Sequence, residues 1–136
     1  MGKADVLVNN AGFSNNNVKT KICDETIENF DLLIVINVRA PFILCREAMK
    51  DMTSRGEGHI LNVVSTVALT KQENFGVYSA SKYALDGLTG SLAKEGRKAG
   101  VKVTAAYPGG TGRALPSLVL SDIYRSADYC NDFRRH

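Results

Sequence analysis

The sequence contains no tryptophan, 7% aromatic residues, three prolines, three cysteines and two histidines in 136 residues. It also lacks any apolar run near the ~18 residues that span a bilayer as a helix, and no signal-peptide pattern opens it. Each shortage removes a class of function. Cys23, Cys45 and Cys130 show no CxxC spacing and are odd in number, so neither a zinc cluster nor a paired disulfide set is expected. They read as small apolar side chains in a reducing compartment. His59 and His136 have no partners at ligand spacing, so no metal site is expected. The 17 Lys and Arg against 14 Asp and Glu give a net charge of +3. The basic residues are scattered except at Lys94, Arg97, Lys98 and at Arg134 and Arg135. A nucleic-acid footprint needs denser clusters with aromatics between them. The expectation is a cytoplasmic protein with no membrane or nucleic-acid partner.

What remains is ordinary globular composition, 44% hydrophobic and 23% charged, at the length of one domain. A chain near 150 residues buries roughly 70% of its unfolded surface, enough for a core. Residues 1–136 therefore read as a single domain. Its apolar segments alternate in type. Asp5 to Val8 is a short β-branched run stopped by Gly12, which reads as a buried strand. After the polar loop of Ser14 to Asn17, Asp24 is placed to cap a helix with Ile27, Phe30, Leu33 and Ile34 on one face. The helical pattern resumes through Phe42, Ile43, Arg46, Met49 and Met52 and ends at Gly56 and Gly58.

His59 to Ser65 reads as a second strand. From Ser79 a long helix carries Leu85, Leu88 and Leu92 at i, i+3 and i+7 until Gly100 stops it. Val101 to Tyr107 is a third strand, closed by Pro108 and Gly109. Strands separated by helices of this length imply parallel pairing with right-handed crossovers. The fold class is α/β with a parallel sheet. Ala114 to Ser121 has the pattern of a short helix, whereas Asp122 to His136 has no clear period, so 114–136 reads as an irregular tail.

Tyr78 and Lys82 stand four apart on one helical face. A phenol ordinarily ionises near pH 10, and a neighbouring ammonium favours its ionised form. A YxxxK pair thus has a rationale as a tuned general acid/base. Taken alone it is a weak signal, since Tyr and Lys fall four apart by chance in many helices, and a surface packing pair is the better reading. Four further features sit at strand ends or on flanking helices, where open α/β sheets bind ligands. They are Asn9-Asn10-Ala11-Gly12 after the first strand, Asn37 in the earlier helix, Ser65 at the end of the second strand, and Pro108-Gly109 after the third. Pro41, four residues after Asn37, has no N–H, so the helical bond to the Asn37 carbonyl cannot form. That leaves the carbonyl free for a water; a simple helix kink at Pro41 is compatible with the same fact.

The set NNAG, Asn37, Ser65, YSASK (Tyr78 to Lys82) and PG resembles the short-chain dehydrogenase/reductase family in order and spacing, over about residues 4 to 112. The resemblance implies a partial Rossmann-type doubly wound sheet of about three strands with flanking helices. It also implies an NAD- or NADP-dependent oxidoreductase moving a hydride between the nicotinamide and a carbonyl or alcohol. Tyr78 would exchange the proton, Ser65 would hydrogen-bond the substrate oxygen, and Lys82 would favour the phenolate and hold the nicotinamide ribose hydroxyls. Asn37 would hold a relay water. Asn10, Ala11 and Gly12 would pass close to the cofactor, and Pro108 and Gly109 would lie beside its ring. The family often carries a threonine five residues after that proline; here Arg113 stands there, and Thr111 is the candidate replacement. A homo-oligomer through the helices around Phe42 to Met52 and Leu85 to Leu92 is implied as well, with small Gly87, Gly90 and Ser91 admitting a close neighbour.

Family members open with a glycine-rich TGxxxGxG turn that seats the cofactor phosphates on a helix N-terminus, and this chain has none. It opens about where the family's fourth strand begins. The expectations are therefore a fragment or truncated product and a first strand left as an exposed edge. An alternative function follows from them: a non-catalytic remnant acting as an interaction or dimerisation module.

Overall fold

A computed structural model of the chain describes residues 3–14 and 19–109. The expectations for Thr111, Arg113 and the tail from Ala114 onward lie outside these residues. Three strands, β1 (Val6–Asn9), β2 (Gly58–Val63) and β3 (Val101–Ala106), alternate with helices α1 (Ile27–Ile34), α2 (Ala40–Arg55) and α3 (Gly76–Lys98). The strands pair in parallel in the order β1-β2-β3, with Leu7 opposite Ile60 and Ile60 opposite Val103. Each expected strand is present within two residues of its expected ends.

Register decides which side chains share a face, because partners in a parallel pair point the same way and neighbours alternate. Leu7, Asn9, Ile60, Asn62, Val101, Val103 and Ala105 face the helices. Cys45 and Met52 of α2, Ile60, Leu92 of α3 and Val101 form one buried cluster. Val64, Ala68 and Leu85 form a second, and Leu88 packs against both. Leu85, Leu88 and Leu92 thus serve the core. Val6, Val8, His59, Leu61, Lys102 and Thr104 point the other way. Val6 is 59% and Val8 52% exposed, so β1 is an edge strand with an open apolar side.

Helix ends follow local chemistry, with one correction. Asp24 does not cap α1; it belongs to a short 3-10 turn, Ile22–Asp24. Thr26 is the cap, its Oγ1 accepting from the Asn29 N–H at 3.1 Å. A β-branched hydroxyl directly before the first helical residue reaches that orphan N–H better than a carboxylate two residues earlier. Of the expected apolar face only Leu33 is buried, while Ile27 and Phe30 remain exposed. α2 ends at Gly56, whose φ of 72° suits a residue without Cβ. Gly100, the turn before β3, packs on it: a Cβ there would stand 2.3 Å from the Gly56 carbonyl oxygen. Arg55 ties this corner to β1, bonding Asp51, Asp5, Glu57 and the Ala4 carbonyl.

Between α1 and α2 the backbone widens into a π turn, Val35–Arg39, where the Ala40 N–H donates to the Val35 carbonyl five residues back. Pro41 follows immediately, buried in the first turn of α2. The missing N–H of Pro41 breaks the regular pattern at Asn37, and wide turns of this kind often mark functional positions.

Candidate active site

The π turn delivers Asn37 to the carboxyl end of the sheet with none of its surface exposed. Its amide clasps one residue of backbone from both sides: Nδ2 donates to the Phe13 carbonyl at 2.7 Å, and Oδ1 accepts the Phe13 N–H at 2.8 Å. Nδ2 also donates to Ser81 Oγ at 3.0 Å. Phe13 directly follows the Asn10-Ala11-Gly12 stretch, so that exposed segment is held from its far end. A Cβ built on Gly12 would stand 3.2 Å from Lys82 Nζ and 3.5 Å from Asn37 Oδ1. A side chain at Gly12 would press the Lys82 ammonium back by a few tenths of an ångström.

Lys82 sits in α3, one turn after Tyr78, and is 4% exposed. Its Nζ donates to the Val63 carbonyl at 3.1 Å and lies 5.9 Å from the centre of the Tyr78 ring. Burial holds the Lys82 pKa below its ordinary 10.5, because desolvation disfavours the charged form. An ammonium has three N–H donors, and the Val63 carbonyl takes one. Tyr78 is half-buried and tilts against the Phe75 ring at 6.4 Å. Phe75 is held in turn by a parallel bridge to Thr20, whose N–H donates to the Asn74 carbonyl at 2.9 Å.

Ser65 does not close a strand. β2 ends at Val63, and Ser65 caps the 3-10 turn Thr66–Ala68 instead, its Oγ accepting from the Val67 N–H at 3.3 Å. A serine side chain that satisfies a nearby N–H competes with the ladder and ends it. Beyond the strands, the Val64 N–H still meets the Ala106 carbonyl at 2.7 Å and the Thr66 N–H meets the Pro108 carbonyl at 3.0 Å. The Pro108-Gly109 segment is thereby fixed beside the Ser65 turn. The Tyr107 hydroxyl donates to Asp86. Among the described residues, Asn37, Tyr78, Lys82 and Gly12 form one cluster, and Ser65 and Pro108-Gly109 stand at the ends of the adjacent strands.

Sequence reasoning gave no role to a second set of buried polar groups below this cluster. Asn9 Nδ2 donates to Asn62 Oδ1 at 2.8 Å and to Cys45 Sγ at 3.2 Å. Asn62 Nδ2 donates to Thr89 Oγ1 at 2.9 Å, and Thr89 Oγ1 to the Leu85 carbonyl at 2.7 Å. This chain crosses from β1 through β2 to α3 and fixes the register of the strands whose ends carry the site. Burial lifts the Cys45 thiol pKa, so it is a packed group rather than a reactive one. The interruption of the run Ile60-Leu61-Asn62-Val63 by one amide was the available signal.

A parallel sheet with its polar residues gathered at the carboxyl ends of the strands is that of a Rossmann-type α/β protein. A family model described as short chain dehydrogenase matches residues 1–117, and the chain belongs to that family. It is 42% identical over 111 residues to an uncharacterized oxidoreductase of Thermotoga maritima, covering 81% of this chain and 43% of the relative. It is 40% identical over 107 residues to the 3-oxoacyl-(acyl-carrier-protein) reductase FabG of Rickettsia felis, covering 79% and 43%. Among solved structures, ElxO with NADP bound aligns with a TM-score of 0.75 at 31% identity, over 79% of this chain and 43% of that one. A 4-hydroxyisoleucine dehydrogenase complexed with NADH aligns at 0.71 and 35% identity, over 77% and 45%. The chain thus spans less than half the length of these relatives. No helix among the described residues is long and apolar enough to cross a membrane, and none of their His, Cys, Asp and Glu side chains group to hold a metal.

Proposed function

We propose that this chain carries the catalytic residues of a nicotinamide-dependent dehydrogenase or reductase acting on a small carbonyl or alcohol. The observation that carries this reading is the buried Lys82 ammonium, packed beside Tyr78 and close against the Gly12 backbone. A bound NAD or NADP supplies or accepts the hydride. The residues fit such a group. The N–H donors of Lys82 not taken by Val63 suit two ribose hydroxyls, and Asn10, Ala11, Gly12, Pro108 and Gly109 offer bare backbone and small side chains to its face.

In reduction, Tyr78 gives its phenolic proton to the carbonyl oxygen as the carbon accepts the hydride; in oxidation it takes the proton from the alcohol. Ser65 donates a hydrogen bond to that oxygen and stabilises the charge that develops on it. Lys82 places its ammonium beside the Tyr78 ring. The Asn37 carbonyl, which Pro41 cannot bond, holds a water that returns the proton from solvent.

Titration with NADH and NADPH, followed by nicotinamide fluorescence, tests the reading. Binding in the micromolar range that is lost in Lys82→Ala is expected; no binding of either cofactor overturns it. Tyr78→Phe abolishes turnover and leaves cofactor affinity nearly unchanged.

A second reading rests on a separate observation. Phe42, Ile43 and Leu44 expose apolar surface on α2, and a groove lined by Phe42, Met49, Leu88 and Leu92 runs between α2 and α3. A Cβ on Gly87 or Gly90 would meet nothing within 4 Å. This surface suits a second copy of the chain, with or without catalysis. Sedimentation equilibrium distinguishes the cases: a dimer that Phe42→Glu dissociates supports the interface, and a monomer removes it.

A further inference from the structure

We infer that Ser81 is a positioning residue that holds, through Asn37, the Gly12-Phe13 backbone against the Lys82 ammonium. Ser81 is wholly buried in α3, between Tyr78 and Lys82. A hydroxyl has one proton, and Ser81 donates it to the Tyr78 carbonyl at 2.7 Å. Toward Asn37 its oxygen can therefore only accept. That fixes the Asn37 amide with Nδ2 toward α3 and leaves Oδ1 for the Phe13 N–H, the arrangement seen at 3.0 Å and 2.8 Å. The same Nδ2 also reaches the Phe13 carbonyl, so both of its protons are bonded.

The hydroxyl ties the helix that carries Tyr78 and Lys82 to Asn37 of the π turn, and Asn37 in turn holds the loop after β1 through Phe13. Gly12 lies next to Phe13 and 3.2 Å, measured from a built Cβ, from Lys82 Nζ. Any slack at Phe13 thus moves the backbone that faces Lys82. Ser81→Ala removes the acceptor and leaves one Nδ2 proton of Asn37 without its protein partner inside a completely buried residue. The cost of an unpaired buried donor corresponds to about a tenfold to hundredfold change in the population of the closed clasp. Ser81→Thr keeps the hydroxyl and restores the bond.

The idea rests on the reading of Lys82 and Gly12 as cofactor-facing groups, so its test carries one readout independent of any ligand. Amide hydrogen exchange by NMR on the full chain compares Phe13 with Ile60 and Leu61 of β2. In Ser81→Ala the Phe13 amide exchanges at least about tenfold faster while Ile60 and Leu61 keep their rates, and Ser81→Thr returns Phe13 close to the wild-type value. A Phe13 rate that does not change, or that rises only in step with Ile60 and Leu61, overturns the proposal. Should Ser81→Ala not fold, the wild-type protein still decides: the side-chain amide protons of Asn37 exchange far more slowly than those of exposed Asn10, and equal rates overturn it. In the same variant, NADH or NADPH affinity falls about tenfold. Unchanged affinity with a released Phe13 amide breaks the link from the clasp to the ligand. Absence of cofactor binding in the wild type instead sinks the enzymatic reading and leaves the exchange result standing.

Discussion

The two faces of the sheet are built to different standards. On the helix side every strand position meets α2 or α3, and the polar groups placed there, Asn9, Asn62, Thr89 and Lys82, each have a partner. On the other side Val6 and Val8 stand open to solvent, and the main polar event is a contact between His59 Nε2 and Thr104 Oγ1 at 2.9 Å. The difference teaches where order is concentrated: the packed apolar and partnered polar groups lie on one side, and the carboxyl rim of that side carries the candidate site.

The largest effects are expected from that side. Leu85→Ala empties a position in the second cluster and should lower stability by about 3 kcal/mol, read as a shift in the urea midpoint. Asn62→Ala comes next. It leaves Asn9 Nδ2 without its amide partner and Thr89 without its donor, at about 2 kcal/mol. A loss as large as that of Leu85→Ala would mean that the network, rather than the apolar packing, dominates this face.

Lys82→Met sharpens the contrast in the opposite sense. Burial depresses the Lys82 pKa, so between that lowered value and 10.5 the unfolded chain binds more protons than the folded one. The contribution of Lys82 to stability therefore rises as pH rises through this window and is least favourable below it. The methionine variant should match or exceed the wild type in stability at neutral pH, lose that difference toward pH 10.5, and bind no nicotinamide cofactor. Urea midpoints of the two proteins across that pH range provide the check. The smallest effect belongs to the open face. Val8→Lys should change stability by less than about 0.5 kcal/mol while reducing aggregation in light scattering, since a charge blunts an edge strand. A larger loss would show that the open face is covered in solution.

The sequence made the first, second and third strands legible because each is a short β-branched run bounded by glycine or proline. It also made Tyr78 and Lys82 legible, since helical spacing alone puts them one turn apart. The helix cap was misplaced because Asp24 and Thr26 are both good caps, and only the 3-10 turn at Ile22–Asp24 decides between them. Ser65 was set at the end of a strand because apolar periodicity cannot register a side chain that takes the Val67 N–H for itself. Ser81, Asn62 and Thr89 were passed over for a related reason: their partners stand 44, 53 and 27 residues away, and no local pattern marks such pairs. Pro41 announced that a bond would be lost at Asn37, yet the π turn itself depends on Asn37 finding Phe13 and Ser81.

That turn sets the phase of everything after it. A regular helix advances about 100° per residue, so the wide turn of Val35–Arg39 acts as a one-residue insertion between α1 and α2. Deleting a single residue there would remove the insertion and leave Pro41 as the break between the two helices. It would rotate Cys45 and Met52 away from Ile60 by about that angle, and the site asparagine would swing off the rim with them. The irregularity is therefore a coupling between the winding of a helix and the placement of a candidate site residue, and loop-length engineering in this segment has to proceed in units that preserve it.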